Sequence, residues 1–123
     1  METFDPNIPL YQQIVSLMKQ GFVSGRYAPG GKIPSIRELA LGFQVTPNTI
    51  QRALTILEQE GLIHTERTND KYLTEDTQML ARLKDEILTE QVRALLGSLK
   101  RHGYSDDEIL SCMKKEMYQN GKE

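Results

Sequence analysis

The chain has 123 residues and a formal net charge of −2 at pH 7, with 38% hydrophobic and 26% charged residues. This length suits one compact domain, or a small domain with an appendage, and leaves no room for a separate ligand-binding domain of ordinary size. A single cysteine, Cys112, excludes an internal disulfide framework, and His64 and His102 do not have a recognisable zinc-ligand spacing.

Membrane proteins and enzymes are disfavoured by what the sequence does not contain. No stretch approaches the roughly 20 consecutive apolar residues that span a bilayer, and the N-terminus lacks the pattern of a signal peptide. There is no glycine-rich phosphate loop, no nucleophile with an evident base, and no pair of carboxylates outside solvated helix faces. We therefore expect a cytoplasmic protein that is not an enzyme, with no cofactor, no metal site and no membrane partner.

The first predicted element is a scaffold helix from about Pro9 to Ser24, in which apolar residues recur at helical spacing. Gly21 inside this helix costs about 1 kcal/mol relative to alanine, and the sequence offers no reason for it. Lys32, Ile33 and Pro34 then form a short extended segment that could add a third strand to a later hairpin.

Two helix starts follow, about eleven residues apart. Ser35 and Glu38 form a capping-box pattern, and Thr46 precedes a proline, Pro47, at a first helical position where a missing N–H costs nothing. The first helix has a predicted buried side of Ile36, Leu39, Ala40 and Phe43. Two short helices at this spacing predict a helix-turn-helix.

The second of these helices has an apolar stripe and an opposite polar face. Ile50, Ala53, Leu54 and Leu57 form the stripe, so that Asn48, Arg52, Thr55 and Gln59 point outward, with Thr49 and Gln51 on the flanks. Amide, hydroxyl and guanidinium groups can hydrogen-bond to base edges in a DNA major groove. The alternative is an ordinary solvated helix surface.

A β-hairpin is predicted directly after this helix. Gly61 ends the helix, Leu62–Glu66 and Lys71–Thr74 have strand composition, and the residues between them have turn composition. A helix-turn-helix followed by a hairpin is a winged helix. The expected fold is therefore mainly α, with a small antiparallel β wing.

Ordered motifs in this part of the chain resemble those of the GntR family of bacterial transcription regulators. They are PLYQQI at residues 9–14, GRYAPGGKIPSIRELA at 25–40, NTIQRAL at 48–54 and LEQEGLI at 57–63. The resemblance implies a partner, double-stranded DNA, and a contact from Arg37 of the S-x-R-E-L motif. The DNA-binding residues that we predict from these motifs and from the polar faces are Lys32, Ser35, Arg37, Thr46, Asn48, Thr49, Gln51, Arg52, Arg67 and Lys71.

Three features depart from what such a DNA-binding domain usually shows. Pro47 stands where the family often has an arginine, and the wing tip, Thr68-Asn69-Asp70, contains an acid and no glycine. Residues 1–73 carry seven basic and seven acidic side chains, which is not a basic balance. An alternative function is therefore a winged-helix protein-interaction module that no longer binds DNA.

The remaining sequence predicts an antiparallel helix pair. One helix runs from Met79 to about Arg101, Gly103 ends it, and a second capping box from Ser105 to Glu108 opens another helix with Ile109, Leu110, Met113 and Met117 inward. Two helices cannot bury so much apolar surface alone, so we expect a homodimer. The predicted dimer interface contains Leu80, Leu83, Ile87, Leu88, Val92, Leu95, Leu99 and Met113.

A short two-helix tail after a winged helix resembles the YtrA-type subfamily of GntR regulators. That resemblance implies a homodimer that binds an inverted-repeat operator. We accordingly predict a DNA-binding region at residues 1–74 and a dimerisation region at 75–123, in a dimeric repressor. The sequence identifies no effector ligand.

Overall fold

The computed structural model describes residues 3–120 of the chain. Within this range there are five helices and one two-stranded sheet, so the prediction of a mainly α fold with a small wing is confirmed. In chain order the elements are α1 (Leu10–Ser24), α2 (Ile36–Phe43), α3 (Pro47–Gln59), β1 (Ile63–Thr65), β2 (Lys71–Leu73), α4 (Thr77–Arg101) and α5 (Asp106–Asn120).

The core of the N-terminal part forms where α1 and α2 pack against α3. The apolar stripes that the sequence predicts on α1 and α3 are buried there, and their fully enclosed side chains include Ile14, Met18, Ile50, Leu54 and Leu57. On α2, Leu39 and Ala40 are buried as predicted, whereas Ile36 and Phe43 are only half-buried. Because α3 lies between the other two helices, its buried face determines which of its side chains face outward.

Local hydrogen bonds mark the helix starts where the sequence predicts them. The Ser35 hydroxyl accepts from the Glu38 N–H at 3.1 Å and the Glu38 carboxylate accepts from the Ser35 N–H at 3.1 Å, which completes the capping box. The Thr46 hydroxyl accepts from the Thr49 N–H at 3.4 Å, ahead of a proline at the first helical position. At the end of α2 it is Gln44, rather than a glycine, that adopts the left-handed conformation, with φ 58°.

The wing is the antiparallel pair β1–β2, with Ile63 opposite Leu73 and Thr65 opposite Lys71. The predicted third strand is present as a short bridge: the Ile33 N–H donates to the Lys71 carbonyl at 2.7 Å, and the Leu73 N–H donates to the Gly31 carbonyl at 2.9 Å. These bonds attach the segment before α2 to the wing.

The structure divides into two compact units between Asp85 and Glu86, and α4 begins in the first and continues into the second. The Asp76 carboxylate caps α4 by accepting from the N–H groups of Gln78 and Met79. Among residues 3–120, none of the helices combines the length and the hydropathy of a membrane-spanning segment.

In the second unit, Ser105 and Glu108 form the predicted capping box at the start of α5, and Ile109 is buried. The expectation that Leu110 and Met117 point inward is wrong for the single chain, because their side chains are 53% and 69% exposed. At about 100° per residue, Leu110 and Met117 project roughly 80–100° around α5 from the buried Ile109, so one neighbouring helix does not cover all of these positions.

Gly21 has a structural explanation that the sequence did not provide. It is buried in α1, and a Cβ at this position would lie 2.8 Å from the Tyr27 ring, which packs edge-on against Phe22 at a centroid distance of 5.6 Å. Close approach of this ring therefore requires glycine.

Gly21→Ala should lower the free energy of unfolding by about 1 kcal/mol, because overpacking against the Tyr27 ring outweighs the better helix propensity of alanine. Gly42→Ala is the matched control: Gly42 also lies in a helix, but a Cβ there meets nothing within 4 Å. That variant should gain up to about 1 kcal/mol. Equal gains for both variants in urea unfolding would contradict this explanation of Gly21.

Candidate nucleic-acid interface

The predicted recognition face of α3 is open to solvent. Asn48, Gln51, Arg52 and Thr55 are exposed, and Thr49 is half-buried, with its hydroxyl 3.0 Å from that of Thr46. The amide of Asn48 makes no hydrogen bond within the described residues, so its donors and acceptor are available. The N-terminal half of α3 therefore presents hydrogen-bonding groups beyond those that its own fold uses.

Three predicted contact residues lie at the start of α2 and just before it. Arg37 is exposed, and no ion pair in the described part of the chain includes it. Ser35 is the helix cap, and its hydroxyl hydrogen is not used by the capping bond. The Lys32 ammonium lies 3.6 Å from the Asp70 carboxylate. Of the two cations, Lys32 has a carboxylate partner, whereas Arg37 has none in the described part of the chain.

On the wing, Lys71 is turned toward the protein. Its ammonium lies 2.9 Å from the Glu58 carboxylate and 2.8 Å from the Thr65 hydroxyl, and its side chain is 16% exposed. Hydrogen bonding to Lys71 lowers the pKa of the Glu58 carboxyl below its ordinary value, and the Thr65 hydroxyl acts in the same direction. Glu58 thus joins the end of α3 to both strands of the wing, a role that the sequence analysis missed.

The acidic wing tip is partly neutralised within the chain. The Asp70 carboxylate accepts from the Thr68 hydroxyl at 3.0 Å and lies close to Lys32, while Asn69 adopts the left-handed conformation with φ 69° in place of the usual glycine. Arg67 is exposed and forms no ion pair in the described residues. Arg67 rather than Lys71 is therefore the wing cation with its charge directed to solvent.

The predicted dimer-interface residues separate into two groups. Leu80 and Leu83 are 8% and 7% exposed and lie in the first unit, so the single chain already buries them. In the second unit, Leu88, Val92 and Leu95 are exposed, whereas Ile87, Leu99 and Met113 are half-buried. An open, mainly apolar groove of about 1010 Å³ lies between the end of α4 and α5, and Leu95, Leu99, Met113 and the exposed Cys112 line it.

Known proteins match this chain over most of its length. The family model "Bacterial regulatory proteins, gntR family" matches residues 10–69. The HTH-type transcriptional regulator YhcF of Bacillus subtilis is 32% identical over 111 residues, which are 90% of this chain and 92% of YhcF. The chain belongs to the GntR family. The HTH-type transcriptional repressor YtrA of Bacillus subtilis is 37% identical over 99 residues, 78% of this chain and 76% of YtrA, in agreement with the YtrA-type subfamily.

Solved structures of GntR proteins agree with the fold. A GntR family transcriptional regulator from Listeria monocytogenes superposes with a TM-score of 0.83 at 37% identity, covering 91% of this chain and 98% of that one. The DNA-binding domain of AraR, solved in complex with an operator, has a TM-score of 0.53 at 26% identity and covers 60% of this chain and 87% of that one. This GntR chain is a DNA-binding transcription regulator and not an enzyme.

Glu58→Gln should lower the free energy of unfolding by about 0.5–1 kcal/mol at pH 7, because Lys71 loses a charged partner at a partly exposed site. The pKa of Glu58 is lowered in the folded protein, so its contribution is complete above the ordinary glutamate pKa of about 4.3 and is lost as pH falls through the lower folded value. The difference in the free energy of unfolding between the wild-type protein and the variant, measured by urea unfolding, should therefore shrink between about pH 5 and pH 3.

Glu75→Gln is the control, since this exposed carboxylate has no basic partner in the described part of the chain. Its effect should be small at every pH. If the free energies of unfolding of the wild-type and Glu58→Gln proteins differ by the same amount down to pH 3, the ion pair does not stabilise the wing.

Proposed function

We propose that this GntR regulator is a dimeric repressor that reads an inverted-repeat operator with the polar face of α3. The observation that carries the proposal is the exposed N-terminal half of that face, together with the unpaired charge of Arg37. There the Asn48 amide has no hydrogen-bond partner in the described residues, and the Gln51 amide makes only a long bond, 3.5 Å, to the Thr55 hydroxyl. Amide side chains form bidentate hydrogen bonds with adenine, and arginine binds guanine or phosphate. The proposed DNA contacts are Lys32, Ser35, Arg37, Thr46, Asn48, Thr49, Gln51, Arg52, Arg67 and Lys71, within the region 1–74.

Charge and geometry rank these contacts. Arg37, Arg52 and Arg67 have no carboxylate partner in the described residues, so each can neutralise a phosphate without breaking an ion pair. Lys71 would first have to leave Glu58, and Lys32 would have to leave Asp70. The arginines are therefore the proposed main anchors, and the two lysines contribute less.

The proposal of a dimer rests on the apolar surface of the second unit, within the region 75–123. Leu88 and Leu95 are 61% and 45% exposed on α4, and an apolar groove lies beside them, which is costly in a monomer. A two-fold dimer would present two copies of α3 to two half-sites, which is why the proposed operator is an inverted repeat. The proposed interface is Ile87, Leu88, Val92, Leu95, Leu99 and Met113. Leu80 and Leu83, in the first turns of α4, are buried in the first unit and anchor the start of this helix there.

Repression, rather than activation, is proposed because the related YtrA is described as a transcriptional repressor. A protein that binds operator DNA in a bacterium works in the cytoplasm, and we place this chain there. No effector ligand is assigned.

Selection from randomised duplex DNA at near-physiological salt tests the proposed function. We expect enrichment of an inverted repeat whose half-sites are separated by about one DNA turn or a multiple of it. A folded protein that enriches no sequence, or only a single unrepeated site, would contradict dimeric, sequence-specific binding.

Arg37→Ala should weaken binding to the selected operator and to unrelated duplexes by a similar factor, and should reduce the slope of log affinity against log salt by about 1, because one phosphate contact is lost. Gln51→Ala is the matched comparison on α3 and should relax the preference at particular base pairs by roughly 1–3 kcal/mol each. Fluorescence anisotropy over a panel of single-base operator variants measures both effects. A loss at one base pair for Arg37→Ala, or a uniform loss for Gln51→Ala, would reverse the two assignments.

Leu95→Asp should produce monomers with strongly reduced operator affinity, because a charge would be placed in the proposed interface. Arg93→Asp places an aspartate at an exposed position on the other side of α4, away from Ile87 and from the Leu88/Val92/Leu95 stripe, and should stay dimeric. Sedimentation velocity distinguishes the two states. A dimeric Leu95→Asp protein would place the interface elsewhere.

A further inference from the structure

A stacking contact connects the recognition helix to the scaffold helix. The guanidinium carbon of Arg52, on α3, lies 3.9 Å from the centroid of the Tyr11 ring, on the first turn of α1. Arg52 is exposed and Tyr11 is half-buried, so the ring is held by the protein while the guanidinium is at the surface. The contact has cation–π geometry.

Stacking leaves the hydrogen-bonding edge of the guanidinium unoccupied. Arginine carries five N–H donors in its plane, and a ring that covers one face of that plane uses none of them. A carboxylate partner would consume two, but no ion pair in the described part of the chain involves Arg52. Arg52 is thus held in place with its donors still available.

An unsupported arginine at the same position would sample many rotamers in the free protein. Freezing those rotamers on binding DNA costs conformational entropy, which reduces affinity. The Tyr11 ring restricts the guanidinium before DNA arrives, because α1 and α3 are packed together and cannot change their separation freely. Part of the ordering cost is thereby met during folding.

We propose that Tyr11 is a positioning residue for DNA recognition: its ring pre-organises Arg52 so that the guanidinium donors meet a bidentate acceptor of the operator, a guanine edge or a phosphate. The inference rests on the proposed function and extends it to a residue outside the helix-turn-helix. It assigns the effect to the ring face and not to the hydroxyl, which accepts a hydrogen bond from the Gln12 amide at 3.2 Å.

The test is a double-mutant cycle on the duplex that the wild-type protein selects from random DNA. Tyr11→Leu should weaken binding roughly two- to fivefold, and Tyr11→Phe should bind like the wild type, because it keeps the ring. In an Arg52→Ala background, Tyr11→Leu should have no further effect. Tyr11→Met serves as a second ring-free variant, and thermal unfolding of each variant establishes that it is folded before binding is measured.

The kind of change identifies what Arg52 touches. If the acceptor is guanine, Tyr11→Leu and Arg52→Ala should relax the preference at the same base pair; if it is phosphate, both should weaken all duplexes alike and flatten the salt dependence. Either shared profile supports the proposal.

Three results would overturn it: equal losses for Tyr11→Phe and Tyr11→Leu, an undiminished Tyr11→Leu effect in the Arg52→Ala background, or wild-type affinity for Arg52→Ala. The first two results leave the proposed function unchanged as long as the wild-type protein enriches an inverted repeat. The third also removes Arg52 from the proposed anchors, but sequence-specific dimeric binding is still supported if the repeat is enriched. If it enriches no sequence, the proposed function fails, and the role of Tyr11 fails with it.

Discussion

The packing of α3 against α1 is the constraint on which the rest of this molecule depends. Ile50, Leu54 and Leu57 of α3 are fully enclosed in the core to which this contact belongs, so α3 cannot rotate about its axis without exposing them. The outward direction of Asn48 and Gln51 is therefore a consequence of core packing. The same contact brings the Tyr11 ring to the surface beside α3, where it meets an arginine that the core does not use.

Charge is arranged so that a nearly neutral chain can still present cations. In the first unit, Glu58 pairs with Lys71, Glu60 with Lys19 at 2.7 Å, and Asp70 with Lys32. These carboxylates are engaged by lysines, whereas the described residues contain no such partner for Arg37, Arg52 or Arg67. Net charge counts all these groups equally, but a phosphate at a few ångströms responds to the ones that are unpaired and exposed. The neutral composition is therefore compatible with DNA binding by this family member.

What the sequence predicted well was local. Capping boxes at Ser35 and Ser105, the proline that opens α3, and the hairpin all depend on residues within a few positions of each other, and the structure contains each of them. The four ordered motifs between residues 9 and 63 also indicated the correct family. The DNA contacts and the dimer interface remain predictions, because each requires a partner molecule.

What the sequence did not predict depends on distant residues. Arg52 and Tyr11 come together only after α1 and α3 pack, and the Glu58–Lys71 pair forms only when the wing folds back on the end of α3. Leu80 looked like part of a continuous interface stripe, yet the first unit buries it. Helical periodicity shows which side of a helix is apolar, but it does not show which neighbour covers that side.

Modified DNA tests most directly whether α3 reads base edges in the major groove. Replacing purines of one selected half-site by 7-deaza analogues removes the N7 acceptor in the major groove while base pairing and the minor groove are kept. The measurement is the affinity of this duplex relative to one with the same replacements in flanking DNA. We predict a loss of roughly tenfold or more in the half-site and none in the flanks. Equal affinities for the two duplexes would contradict major-groove readout by α3.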